Sequence, residues 1–185
     1  MGTIAGRPLY TDPGAHRLDL GREWGTQTRA MSDNLTPQEM IRANADLVLS
    51  VARKDYDPHI GFDAAGVRWL DGYIQGLVDQ GEVDANETLC DNLGSFLGTC
   101  IIETYGGAWQ DTEHGWAVVL DGDLAVFPFN KVLKHLTDGA GESVLSLFNS
   151  IPPLMDHAKE AAAHTGPAEP TPQTFVSKLG RLFRR

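Results

Sequence analysis

Asn86-Glu87-Thr88-Leu89-Cys90-Asp91-Asn92-Leu93-Gly94-Ser95-Phe96-Leu97-Gly98-Thr99-Cys100-Ile101-Ile102-Glu103-Thr104-Tyr105-Gly106-Gly107-Ala108-Trp109 is the stretch on which the fold turns. Leu89, Leu93, Phe96, Leu97, Cys100, Ile101 and Thr104 recur at helical spacing, which predicts one amphipathic helix from Asn86 to Tyr105. It is expected to be the central core helix. Gly94 and Gly98 lie one turn apart on it and leave room for another element to approach its backbone. The Gly106-Gly107 pair then ends the helix, and the period changes to that of strands.

Upstream, Thr36-Pro37-Gln38-Glu39 places a hydroxyl at a cap, proline at the first helical position and glutamate three residues after the cap. This is a capping box. Met40, Leu47, Val48 and Val51 continue the helix on one face, with Asn44 as the polar break, until the turn sequence Asp55 to Pro58 ends it near Lys54. A second helix is expected from Asp63 to Gly81, carried by Val67, Leu70, Ile74, Leu77 and Val78. Its glycines at 66, 72 and 76 each cost about 0.5–1 kcal/mol relative to alanine, and the reading is that a neighbour packs closely on them.

Downstream, Ala108 to Gln110, Trp116 to Leu120 and Leu124 to Phe127 are expected as three short strands, with Asp121-Gly122 as a hairpin turn. Pro128 is expected to stop the third strand. A short helix then covers Asn130 to Leu136, another begins at Glu142 and meets Pro152-Pro153, and Met155 to Ala163 adds a last turn or two. The class is α+β: three N-terminal helices, a small antiparallel three-stranded meander, then short C-terminal helices.

With 185 residues, the chain has room for one domain of ordinary size. Composition divides it into an N-terminal arm at 1–32, a single domain at 33–160, a Pro-rich linker at 161–172 and a basic amphipathic tail at 173–185. In that tail Phe175, Leu179, Leu182 and Phe183 share one side. The charge is uneven. The net value is -10, and between Arg68 and Lys131 there are eleven acids with no lysine or arginine. That sign opposes binding to phosphate backbones or anionic lipid, so no nucleic-acid partner is expected. No apolar run reaches the roughly 20 residues that cross a bilayer, and residues 1 to 30 lack a secretory pattern. No stable membrane insertion and a cytoplasmic location are expected.

The glycines and aromatics of Leu93-Gly94-Ser95-Phe96-Leu97-Gly98, Tyr105-Gly106-Gly107-Ala108-Trp109 and Phe127-Pro128 with Val132 resemble a bacterial family known as domain of unknown function 3806. The likeness spans about residues 62 to 150. It implies a bacterial origin and an α+β domain, and proteins of this look resemble the immunity proteins encoded beside toxins. It carries over no catalytic residue.

The remaining residue patterns exclude more chemistry than they suggest. Cys90 and Cys100 are about 15 Å apart along a helix, too far for a disulfide, and have no CxxC partner or adjacent histidine, so both read as structural thiols. Ser95 lies mid-helix and lacks the GxSxG spacing of a nucleophile elbow. No phosphate loop, metal site or cofactor is expected. His135 and His157 read as surface residues.

Asp111, Glu113 and His114, taken as close to Asp121 and Asp123 across the hairpin, are the best concentration of ligating or acid/base groups, although turn chemistry also explains them. Trp69, Trp109 and Trp116, with Tyr73 and Tyr105 at the mouth, would line a pocket if the core does not absorb them.

The first functional reading is a non-catalytic protein-binding protein, of immunity or antitoxin type, that covers a basic toxin or effector with an acidic face. Its contact residues are expected at Asp79, Glu82, Asp84, Asp111, Glu113, Asp121 and Asp123. The alternative is a small enzyme or ligand-binding domain that uses Glu113 and His114 near the tryptophans. A third is an adaptor that recruits a larger assembly through its basic tail.

Overall fold

The computed structural model describes residues 35–81, 87–121 and 123–164, with side chains described through 160. The arm at 1–32, the tail at 173–185, and Glu82 and Asp84 lie outside the described residues. Helix α1 (Pro37–Asp55) starts on the expected capping box. The Thr36 hydroxyl accepts from the Glu39 amide at 3.3 Å, and the Glu39 carboxylate accepts from the Thr36 amide at 2.7 Å. Its buried stripe is Ile41, Ala45, Val48 and Ala52. Arg53 then donates to the Ile60 carbonyl at 2.7 Å and closes the turn that follows.

Helix α2 (Ala64–Gln80) is capped by Asp63, whose carboxylate accepts from the amides of Ala65 and Gly66. It ends at Gly81, whose φ of 66° is the left-handed conformation that glycine adopts without a Cβ penalty. Of its three interior glycines only Gly66 faces a close neighbour, because a Cβ there would overlap the Gly61 carbonyl. Gly72 and Gly76 meet nothing within 4 Å. The expectation of close packing therefore holds at one position of three.

Helix α3 (Glu87–Tyr105) is the centre of the molecule, and every residue from Asn92 to Ile101 is buried. The spacing predicts a one-faced stripe; over Asn92–Ile101 the helix is instead covered on all sides, while Glu87, Asp91, Glu103 and Thr104 stay exposed. Helix α1 packs along one side of it, and helix α4 (Pro128–Asp138) along another. A Cβ at Gly94 would overlap the Phe129 ring, and one at Gly98 would overlap the Trp109 ring, so these two glycines admit the aromatic anchors of the following elements.

The meander is β1 (Ala108–Thr112), β2 (Gly115–Leu120) and β3 (Leu124–Val126), antiparallel in the order β1-β2-β3. Trp109 pairs with Val118 and Asp111 with Trp116, while Val118 pairs with Val126 and Leu120 with Leu124. These residues share one sheet face, with Val118, Leu120 and Val126 buried in the same core as α3.

Pro128 does more than end β3: it is the first residue of α4, where its missing amide proton costs nothing. A 3-10 turn, Gly139–Glu142, leads to α5 (Val144–His164). Two short pieces were expected on either side of Pro152-Pro153. The helix is continuous through both prolines over 21 residues.

Candidate functional site

The described acids do not gather in one place. Thr112 pairs with Gly115, which leaves Glu113 and His114 as a two-residue turn at one end of β2. The Thr112 hydroxyl fixes that turn by donating to the Gly115 carbonyl at 2.7 Å and accepting from the His114 amide at 3.2 Å. Leu120 pairs with Leu124, so Asp121 and Asp123 occupy the turn at the opposite end. The six residues of β2 separate the two ends by roughly 17 Å. The expectation that Asp111, Glu113 and His114 lie close to Asp121 and Asp123 is therefore corrected, because a meander sends successive turns to opposite ends.

All four of these aspartates and glutamates are exposed, as is Asp79 near the end of α2, where Gln75 donates to it at 2.7 Å. Glu113 meets the His114 ring at 3.5 Å. Among the described residues none of the five pairs with a lysine or arginine. Two other acids of the same sequence run do find tertiary partners. Glu103 meets Arg42 at 3.4 Å, and Asp71 is absorbed into a partly buried junction.

That junction was not legible in the sequence. Asp71 accepts from the Ser143 hydroxyl at 2.6 Å and from the Leu145 amide at 3.1 Å, so α2 supplies part of the cap of α5. His135, expected at the surface, is 1% exposed, with Nδ1 3.7 Å from the same carboxylate. Burial lowers its pKa; Asp71 opposes that shift and Lys131 adds to it. The serine bonds the aspartate and not the imidazole, so the three do not form a nucleophilic relay. His157 is exposed, as expected.

The tryptophans do not line a common pocket. Trp69 stacks on Tyr73 at 5.4 Å and packs edge-on against Tyr56 and Phe96. Trp109 lies against Phe129 at 5.3 Å over Gly98. Tyr105 is spent on Phe148. Both cysteines are free, Cys100 buried and Cys90 half-buried, and burial raises the pKa of each thiol.

Trp116 opens onto a groove, of about 290 Å³, where four segments meet. Helix α1 contributes Ile41 and Asn44, α3 contributes Asp91 and Ser95, the β1–β2 turn contributes His114 with Trp116, and the start of α4 contributes Phe129 and Asn130. Ser95 is fully buried and its hydroxyl has no hydrogen-bond partner among the described residues, while Thr99 donates to its backbone carbonyl. Asn92, one turn before it, is also fully buried with an unpartnered amide. Burial raises the pKa of Asp91, and Glu87 one turn away adds to the shift.

The sequence signal for this face was present in Asn92, Ser95 and Thr99, which interrupt the apolar pattern. It reads as a solvated side of the helix until α1 is placed over it. No group of three or more His, Cys, Asp or Glu among the described residues is arranged to hold a metal, and no described helix is long and apolar enough to cross a membrane. Compared with known proteins, the chain matches no family model, no curated protein and no solved structure.

Proposed function

We propose that this chain is a non-catalytic bacterial protein-binding protein, of the immunity or antitoxin kind, that takes a basic toxin or effector as its partner. The observation that carries the reading is the state of the acids at the two ends of the meander. Asp111 near the end of β1, Glu113 in the turn after it, and Asp121 and Asp123 in the β2–β3 connection are exposed and have no lysine or arginine partner among the described residues. Unneutralised carboxylates held on a fixed scaffold speed encounter with a basic surface. Because the two pairs are roughly 17 Å apart, the partner engages them as two separate contacts.

The test is capture of the partner from lysate at low and at high salt, comparing the wild type with a variant in which Asp79, Asp111, Glu113, Asp121 and Asp123 are reversed to lysine. A partner held by the wild type, released by salt and lost in the variant supports the reading. A partner held equally by both overturns it. Reversal of one turn at a time then assigns each contact.

A further inference from the structure

The groove beside Trp116 is built differently from the acidic turns. Among the described residues, Asp91 and His114 are the only ionisable ones lining it, and no described lysine or arginine enters it. It offers a carboxylate at Asp91, two side-chain amides at Asn44 and Asn130, and an aromatic ring at Trp116. Ser95 adds a fully buried hydroxyl that has no partner among the described residues. A buried polar atom without a partner is destabilising unless something bonds it, so this one points to an occupant. No lysine or arginine among the described residues pairs with the Asp91 carboxylate, and partial burial, with Glu87 one turn away, raises its pKa.

We propose that this groove seats one arginine side chain of the basic partner. A planar guanidinium carries five donors, which match the acceptors of Asp91, Asn44, Asn130 and Ser95, and its face stacks on an indole such as that of Trp116. The volume of about 290 Å³ admits a single side chain and not a folded ligand. This inference rests on the reading of a basic partner. It assigns the division of labour: the exposed acids at the turns govern encounter, and the groove governs residence.

The probe is N-acetyl-arginine amide, titrated into the full chain while amide and indole resonances are followed, with the neutral isostere N-acetyl-citrulline amide as control. The expected result is saturable shifts confined to Asn44, Ser95, His114, Trp116 and Asn130, at a dissociation constant on the order of millimolar, as suits one side chain. Citrulline amide is expected to bind at least about tenfold more weakly. Asp91→Asn should weaken the arginine probe about tenfold, and Ser95→Ala about threefold, each at an unfolding midpoint no lower than that of the wild type, because each removes a polar or charged group that no described residue compensates.

Equal shifts with citrulline, shifts centred on Asp121 and Asp123 instead of the groove, or no saturable shift would each overturn the proposal. Because no partner is present in the titration, its failure is distinguishable from failure of the binding-protein reading. That reading fails only if reversal of the turn acids leaves partner capture unchanged.

Discussion

The Tyr105 hydroxyl donates to the Phe148 carbonyl at 3.2 Å, and Phe148 lies four residues before Pro152. In a helix that carbonyl would accept from the amide of residue 152, which proline lacks. The end of α3 thus supplies the donor that α5 is missing, and the two rings pack at 4.8 Å beside the bond. This is one reason the last helix runs through its proline pair.

Tyr105→Phe removes the donor and leaves the carbonyl half-buried and unpartnered, which should cost about 1 kcal/mol. Pro152→Ala restores an amide to residue 152. In that background Tyr105→Phe should become nearly neutral, a coupling of about 0.5–1 kcal/mol. Denaturant unfolding of the two single variants and the double variant measures it, and simple additivity would refute the account.

Asp71 holds the N-terminus of α5 from a different helix. Asp71→Ala should cost about 2 kcal/mol, since two charge-assisted hydrogen bonds are lost and the Ser143 hydroxyl and Leu145 amide lose their shared acceptor. Thermal or denaturant unfolding reads the loss. Loss of hydrogen-exchange protection at the first turn of α5 would localise it.

His135 gives stability a pH dependence whose sign follows from burial. Its folded pKa lies below the ordinary value of about 6.5, so the unfolded chain binds that proton more readily. Its contribution is complete above the unfolded pKa and is lost as the pH falls through the folded one. The facing charged groups are Asp71, which holds the imidazole toward protonation, and Lys131, which resists it. His135→Leu should flatten the stability curve as the pH falls below about 6.5; an unchanged slope there would remove His135 as its source.

The glycines separate into two kinds. Gly98→Ala and Gly94→Ala should each cost about 1–3 kcal/mol, because the new methyl group meets the Trp109 or the Phe129 ring. Gly72→Ala and Gly76→Ala meet nothing and should stabilise α2 by about 0.5–1 kcal/mol. Four unfolding curves decide it, and uniform destabilisation across all four would show that the helices tolerate no side chain at any of these positions.

Much of the fold was legible because its signals are local. The Thr36 to Glu39 capping box, the αL cap at Gly81, the apolar period that marks α3 as a helix and the order of helices and strands each depend on residues within one or two turns of one another. Gly98 as a point of close approach was legible for the same reason, although the identity of its neighbour was not. The candidate site was far less legible. The exposure of Asp111, Glu113, Asp121 and Asp123 follows from turn chemistry, yet their division between opposite ends of β2 required the strand register.

The sequence by itself determined the order of the helices and strands, the caps of α1 and α2, and the excess of acid in the middle of the chain. These are consequences of backbone sterics, capping and periodicity, which act between near neighbours. Only the tertiary structure decided that Ser95 is buried, that His135 sits beside Asp71, that Glu103 finds Arg42 and that α5 continues through Pro152. The Tyr105, Glu103 and Asp71 contacts join residues 43, 61 and 72 positions apart, respectively. Which groups meet at such separations is set by how α1, α4 and α5 close around α3, because the free energy of a donor, an acceptor or a charge depends on what that closure places opposite it.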